Sequence, residues 1–195
     1  MKTRIAITGG IGSGKSTVSS ILKELGYPTF SCDEIYKTLM DTKEYIAEIE
    51  RLFPNAVING KIDKKALSTL VFGDEYARRQ LNNLAHPLIM KVLFEHMNEC
   101  AEEITFAEVP LLFEGNYQNL FDGVIVVVRS LINRVQAVMQ RDSVSSQEVE
   151  SRIKTQNVYD IEKLKRQHDN LYVLHNDGSL EQLKINLTEI IKNLS

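Results

Sequence analysis

The sequence predicts an α/β fold built on a doubly wound, five-stranded parallel sheet that carries a helical insertion and a helical lid. Two observations predict it. Short apolar runs that barely alternate recur along the chain between stretches of helical periodicity, and a glycine-rich loop joins the first such run to the first helix.

The first run is Ile5, Ala6, Ile7 and Thr8, a buried strand that the glycines from Gly9 onward end. Val18, Ile21, Leu22 and Leu25 then repeat at helical spacing until Gly26 and Pro28 supply a stop. A second strand is expected over 29–32, and Asp33 is well placed to cap a helix carrying Ile35, Leu39 and Met40. From 44 to about 100 the pattern is mostly helical, with Asp63 and Asp74 as caps and Asn59-Gly60 as a turn. Within it, His86-Pro87 predicts a kink or a break between two helices, because proline lacks the amide proton that a helix interior uses. The runs 104–109 and 124–128 read as central parallel strands. A charged helical stretch over about 131–166, a short strand over 171–174 and a last helix follow. That helix carries Leu180, Leu183, Leu187, Ile190, Ile191 and Leu194. The expected organisation is one domain over 1–195, with a core of about 1–43, 101–130 and 168–195, an insertion over 44–100 and a lid over 131–167.

Composition narrows the function. With 43% apolar and 25% charged residues the chain is an ordinary globular protein, and a net charge of −3 excludes a surface given over wholly to nucleic acid. No apolar run reaches the length of a membrane span, and the opening residues lead into a strand and not into a signal-peptide core. A cytoplasmic protein without nucleic-acid or membrane partners is expected, as a monomer or weak homo-oligomer. Cys32 and Cys100 have no zinc or redox spacing, which suits plain thiols in a reducing compartment.

Gly9-Gly10-Ile11-Gly12-Ser13-Gly14-Lys15-Ser16 fits the phosphate-loop pattern G-x-x-x-x-G-K-S/T, between a strand and a helix as its mechanism requires. Glycines let successive amides turn inward onto phosphate oxygens, and the positive end of the following helix adds to the attraction. Gly12, Ser13 and Gly14 would line the ATP phosphates. Lys15 would bridge the β- and γ-phosphates, Ser16 would complete the coordination of Mg2+, and Thr17 would assist at the α-phosphate. Ligands of a parallel sheet bind at the carboxyl ends of its strands, which deliver Asp33, Glu108, Pro110, Arg129, Asn176 and Asp177. Asp33 can take the proton of an acceptor hydroxyl; its structural alternative is a helix cap. Arg134, Arg141, Arg152 and Lys154 could close over ATP and neutralise the moving phosphoryl group, or simply form a solvated face.

These residues resemble the dephospho-coenzyme A kinases, a family of the P-loop nucleotide kinase type, over nearly the whole chain. The resemblance rests on the lead-in from Ile7 to Thr17, on His86-Pro87-Leu88-Ile89, on Val109-Pro110-Leu111-Leu112-Phe113-Glu114, on Gln140-Arg141-Asp142 and on Asn176-Asp177-Gly178. It implies transfer of the ATP γ-phosphoryl group to the ribose 3′-hydroxyl of dephospho-coenzyme A, with Mg2+ as cofactor. It also implies Asp33 as acceptor base, and Lys15 and Arg141 as phosphate stabilisers. His86 with Leu111, Leu112 and Glu114 would contact the substrate, and Asn176 and Gly178 would lie near adenine. Two departures stand out. The family usually carries Asp-x-Asp after the second strand where this chain has Ser31-Cys32-Asp33, and Glu108 could compensate around the metal. The segment from Gln156 to Asn176 is a few residues longer than the family norm and holds the basic run Lys163, Lys165 and Arg166, which blurs the lid boundary.

Two other readings compete. A nucleoside monophosphate or shikimate kinase would share the fold, but the Asp-Gly-Phe-Pro-Arg lid signature of adenylate kinases is missing. A nucleotide-hydrolysing switch would use the same loop without an acceptor, but the Asn-Lys-x-Asp guanine motif is missing too.

Overall fold

The computed structural model describes residues 2–154 and 159–194; Gln156, where the lengthened segment was expected to start, lies outside the described residues. Ile5, Ala6 and Ile7 are apolar on both faces, so the strand that carries them, β1 (Thr3–Gly9), is fully buried at these positions and sits in the middle of the sheet. The loop after it leads into α1 (Lys15–Glu24), which ends at Gly26 with φ 87°, then β2 (Thr29–Ser31) and α2 (Cys32–Leu39). Next come α3 (Lys43–Leu52), β3 (Val57–Ile58), β4 (Lys61–Ile62), α4 (Lys64–Gly73) and α5 (Glu75–Glu99). The chain continues with β5 (Ile104–Glu108), β6 (Gly123–Val128), α6 (Leu131–Asp142), α7 (Ser146–Lys154), α8 (Ile161–Gln167), β7 (Leu171–His175) and α9 (Leu180–Lys192).

The five-stranded sheet has the order β2-β5-β1-β6-β7. β1 pairs in parallel with β5, setting Ile7 opposite Glu108, and with β6, setting Gly9 opposite Val127. β6 pairs in parallel with β7, so Val128 faces His175. All these strands end on one edge, the edge from which the phosphate loop leaves. Ile5, Ile7, Val18, Leu22, Phe106, Ile125, Val127, Leu174 and Leu187 form the core beneath it. Each such side chain contributes about 1.5–3 kcal/mol by leaving water.

The chain divides into two compact units, Met1–Phe30 with Cys100–Ser195, and Ser31–Glu99. The second of these units takes in α2, which packs on α5 and whose Met40 enters a cluster with Tyr45, Ile49, Phe53, Leu67 and Ala85. Tyr36 and Tyr45 meet edge to face at 6.0 Å. Within this unit Asn59 and Gly60, at φ 52° and 71°, form the two-residue turn of a short antiparallel hairpin that periodicity did not announce. Asp63 accepts from the amides of Lys65 and Ala66, and Asp74 from those of Tyr76 and Ala77, so both cap helices as expected.

Two expectations for this region are corrected. Pro87 does not divide the chain into two helices: α5 runs unbroken through it for 25 residues. Proline removes one hydrogen bond and crowds the carbonyl one turn back, a local cost of about 3 kcal/mol, but Ala77, Ala85, Met90, Leu93 and Met97 keep a buried stripe along the helix that holds it together. Nor does Asp33 cap α2. Ser31 is the cap, its hydroxyl accepting from the Glu34 amide at 3.4 Å, and Asp33 stands in the first turn with its side chain exposed. Among the described residues no helix is long and apolar enough to cross a membrane.

Candidate active site

The loop between β1 and α1 is braced by its own backbone and by side chains from three elements or their ends. Its tightest turn is closed by the Ser13 amide donating to the Gly10 carbonyl at 3.1 Å. Two glycines are obligatory here. Gly12 has φ 76°, and a Cβ there would stand 2.6 Å from the Arg134 carbonyl oxygen. Gly14 has φ 98° and serves as the left-handed cap of α1, and a Cβ there would run into the Asn176 amide.

Three side chains hold the loop's carbonyls, leaving its amides as the groups to meet an anion. Lys15 Nζ donates to the carbonyls of Gly9 at 2.9 Å and Gly10 at 3.3 Å. Arg134 Nε donates to the Ile11 carbonyl at 2.8 Å, and its guanidinium lies against Gly10. Asn176 Nδ2 donates to the Ser13 carbonyl at 2.8 Å. The Ile11 side chain packs among Val135, Val138, Met139, Val149 and Ile153 of α6 and α7, so these two helices hold the loop by apolar contact as well. No side chain caps α1 and no acidic residue sits in its first turn, so this end keeps its positive character. Ser16 and Thr17 are exposed there. The arrangement can bind a polyphosphate, with the Lys15 ammonium poised at the loop.

Glu108 ends β5 next to this loop. The buried Ser19 hydroxyl donates to its carboxylate at 3.1 Å, and Ser19 lies one turn beyond Ser16 on the same face of α1. The donors on offer are therefore a hydroxyl and a carboxylate, hard oxygen ligands of the kind that Mg2+ takes while keeping several waters. Among the described residues no group of three or more histidine, cysteine or acidic side chains forms a metal cage. That spare set suits a hydrated ion shared with phosphates better than a cage of protein ligands would.

Beyond β7, Asp177 accepts from the Ser130 amide at 2.9 and 3.1 Å and from Asn133 Nδ2 at 2.8 Å, so it holds the start of α6. Its bond from the Ser130 amide, helped by Asn133 and Arg129, holds its carboxyl below the usual 3.8. Because the folded value is depressed, the stability it contributes is present above the ordinary carboxylate pKa and is lost as pH falls through the folded value. A difference in melting temperature between the protein and its Asp177→Ala variant is thus expected at about pH 7 and should shrink as the pH falls below the ordinary carboxylate range. A difference that persisted in acid would show that Asp177 acts otherwise than through its charge.

The other residues singled out from sequence fall into distinct places. Arg141, near the end of α6, is exposed and bound by Asp142 at 2.7 and 3.0 Å; the same carboxylate accepts from Arg152 at 3.1 Å, and Glu148 holds Arg152 at 2.7 Å. Such exposed pairs are weak enough to exchange partners. Arg141 stands seven residues after Arg134, hence on the same face of α6. Lys154 ends α7 exposed, and Lys163, Lys165 and Arg166 lie on α8, where Lys165 pairs with Glu162 at 3.6 Å. Leu111 is exposed on the loop after β5, but Leu112 is fully buried, so it shapes that loop from beneath and presents no surface to a ligand. The Asn176 amide, expected near adenine, is engaged with the phosphate loop, while a Cβ at Gly178 would make an ordinary contact with the Gln182 side chain.

Asp33 and His86 belong to the second unit, on α2 and α5. Burial lowers the His86 pKa, which favours the neutral ring at neutral pH. Sequence reasoning missed Ser19, missed Tyr159, whose hydroxyl donates to the Glu114 carboxylate at 3.3 and 3.4 Å, and left Arg134 as one cation among four. The seven-residue spacing from Arg134 to Arg141 was the available sign that the two share a face of α6; nothing in the sequence marked Tyr159.

A model of the family described as dephospho-CoA kinase matches residues 3–182. The dephospho-CoA kinase of Thermus thermophilus is 38% identical over 191 residues, covering 98% of this chain and 91% of that protein. Two solved structures are similar over 100% of this chain and 98% of theirs. TT1252 from Thermus thermophilus gives a TM-score of 0.84 at 37% identity, and the dephospho-CoA kinase from Campylobacter jejuni gives 0.65 at 28%.

Proposed function

The chain belongs to the dephospho-CoA kinase family and is an ATP-dependent kinase of the last step of coenzyme A synthesis, and we propose how its residues divide that work. Gly12, Ser13, Gly14, Lys15, Ser16 and Thr17 hold the ATP triphosphate, and Asp33 aims the ribose 3′-hydroxyl of dephospho-CoA at it. The observation that carries this reading is the phosphate loop itself, whose carbonyls are tied back by Lys15, Arg134 and Asn176.

The loop amides and the N-terminus of α1 meet the phosphate oxygens. Lys15 gives up the Gly9 and Gly10 carbonyls for the β- and γ-phosphates, where negative charge grows as the bridging bond lengthens. Ser16 and, through its position beside Ser19, Glu108 are the groups that would hold Mg2+. When bound, the ion neutralises the phosphates and orients the γ group. Arg141 exchanges Asp142 for the phosphoryl group in flight, while Arg134 stays on the loop. The 3′-oxygen forms its bond to the γ-phosphorus as the bond to the β–γ bridging oxygen breaks; ADP departs, and the hydroxyl proton passes to Asp33. The transition state of such a transfer is loose, so Asp33 works chiefly by orienting the hydroxyl. His86, Leu111 and Glu114 contact the acceptor, and Gly178 borders the adenine of ATP. Both substrates are multiply charged and cross membranes poorly, which supports a cytoplasmic protein.

Purified protein is expected to form ADP when ATP and dephospho-CoA are both present, and not with a nucleoside monophosphate or shikimate as the acceptor. Equal ADP formation without any acceptor would make the protein a nucleotide-hydrolysing switch instead.

A further inference from the structure

We propose that Tyr159 is a positioning residue for the loop after β5: its hydroxyl fixes the Glu114 carboxylate, and dephospho-CoA binding depends on it while ATP binding does not. The inference rests on the reading that Glu114 meets the acceptor.

Four observations carry it. The Tyr159 hydroxyl lies 3.3 and 3.4 Å from the two carboxylate oxygens of Glu114, the only hydrogen-bond donor that Glu114 has among the described residues. The backbone of the loop is already held, by the Gly115 amide on the Leu111 carbonyl at 3.0 Å and the Tyr117 amide on the Leu112 carbonyl at 2.9 Å. What the backbone leaves undecided is the direction of the Glu114 side chain, and the phenol decides it.

The phenol is itself fixed. Its ring meets Phe113 edge to face at 5.4 Å, and His168 meets the same Phe113 ring at 6.0 Å. Tyr159 and His168 flank the two ends of α8, and Asp160 caps that helix by accepting from the Lys163 amide at 3.0 Å. A short helix thus grips Phe113 from both ends and delivers a hydroxyl to the adjacent Glu114.

The phenol also borders the phosphate loop. The buried Thr8 hydroxyl, at the end of β1, faces the phenolic oxygen without forming a well-aligned hydrogen bond, and the Arg134 guanidinium is close enough to act on it electrostatically. Burial, with the Glu114 carboxylate beside it, pushes the Tyr159 phenol up to about 12, so it stays protonated and a donor at any working pH. One donor therefore consumes one lone pair of Glu114 and leaves the rest, correctly aimed, for hydrogen-bond donors of the acceptor.

The test is a double-mutant cycle of Tyr159→Phe and Glu114→Gln, with separate KM values for ATP and dephospho-CoA, kcat, and the melting temperature. Phenylalanine keeps the packing on Phe113 and removes only the hydroxyl. We expect Tyr159→Phe to raise the dephospho-CoA KM about tenfold, the scale of a lost hydrogen bond to a charged group, with the ATP KM and melting temperature little changed. In the Glu114→Gln background, where the phenol meets only a neutral amide oxygen in place of a charged carboxylate, the same substitution should raise it clearly less than in the unaltered protein. If Glu114→Gln raises the acceptor KM but Tyr159→Phe does not, the role of Tyr159 is overturned and the reading of Glu114 stands. If Glu114→Gln leaves the acceptor KM unchanged, that reading fails and this inference with it. Equal rises of both KM values in Tyr159→Phe would make Tyr159 a general structural support and overturn the proposal as well.

Discussion

Lys15→Ala is expected to lower kcat by roughly 10²–10³-fold, or about 3–4 kcal/mol, the scale seen when one preorganised donor to developing charge is removed. Two losses combine. The ammonium no longer reaches the β- and γ-phosphates, and the Gly9 and Gly10 carbonyls lose the donor that now sits 2.9 and 3.3 Å from them. The ATP KM should rise as well, because the loop is less firmly shaped before nucleotide arrives. Lys15→Arg should not restore the rate, since a planar guanidinium cannot fill the position of a compact ammonium. Steady-state kinetics with varied ATP decide the matter, and turnover near that of the unaltered protein would remove the loop from the reaction.

Asp33→Asn should reduce kcat by about 10²–10⁴-fold, the range of a positioned acid or base, and leave the ATP KM nearly unchanged. The structure makes this variant informative because the cap of α2 is Ser31, not Asp33, so asparagine at 33 removes charge without removing the cap. The matching control is Ser31→Ala, which should cost about 1 kcal/mol of stability by leaving the Glu34 amide without its acceptor. Thermal unfolding and kinetics together separate the two effects. A full rate in Asp33→Asn would leave that carboxylate outside the chemistry.

The capping pair also shows how far local sequence can be read. Ser31 and Asp33 are both good capping residues, and propensity could not choose between them; the choice follows from where β2 leaves the sheet, which depends on its partner strand across some seventy residues of intervening chain. Pro87 failed as a helix breaker for a similar reason. Its local penalty is one hydrogen bond and a steric clash with the preceding turn, and the apolar stripe of α5 outweighs both. Leu112 read as a substrate contact because its motif includes it, yet its side chain is the one that the core takes.

The five strands of the parallel sheet in chain order, the phosphate loop and the caps at Asp63 and Asp74 were all legible from residue type and spacing, because each depends on interactions within a few residues of the chain. The family itself was legible for the same reason: its motifs are short, contiguous and in one order. The lateral order of the strands, the brace of Arg134 and Asn176 on the loop carbonyls, the grip of Ser19 on Glu108 and the meeting of Tyr159 with Glu114 required the folded chain. These contacts join residues from 45 to 163 positions apart. Such partners are chosen by packing and geometry that a linear pattern does not carry.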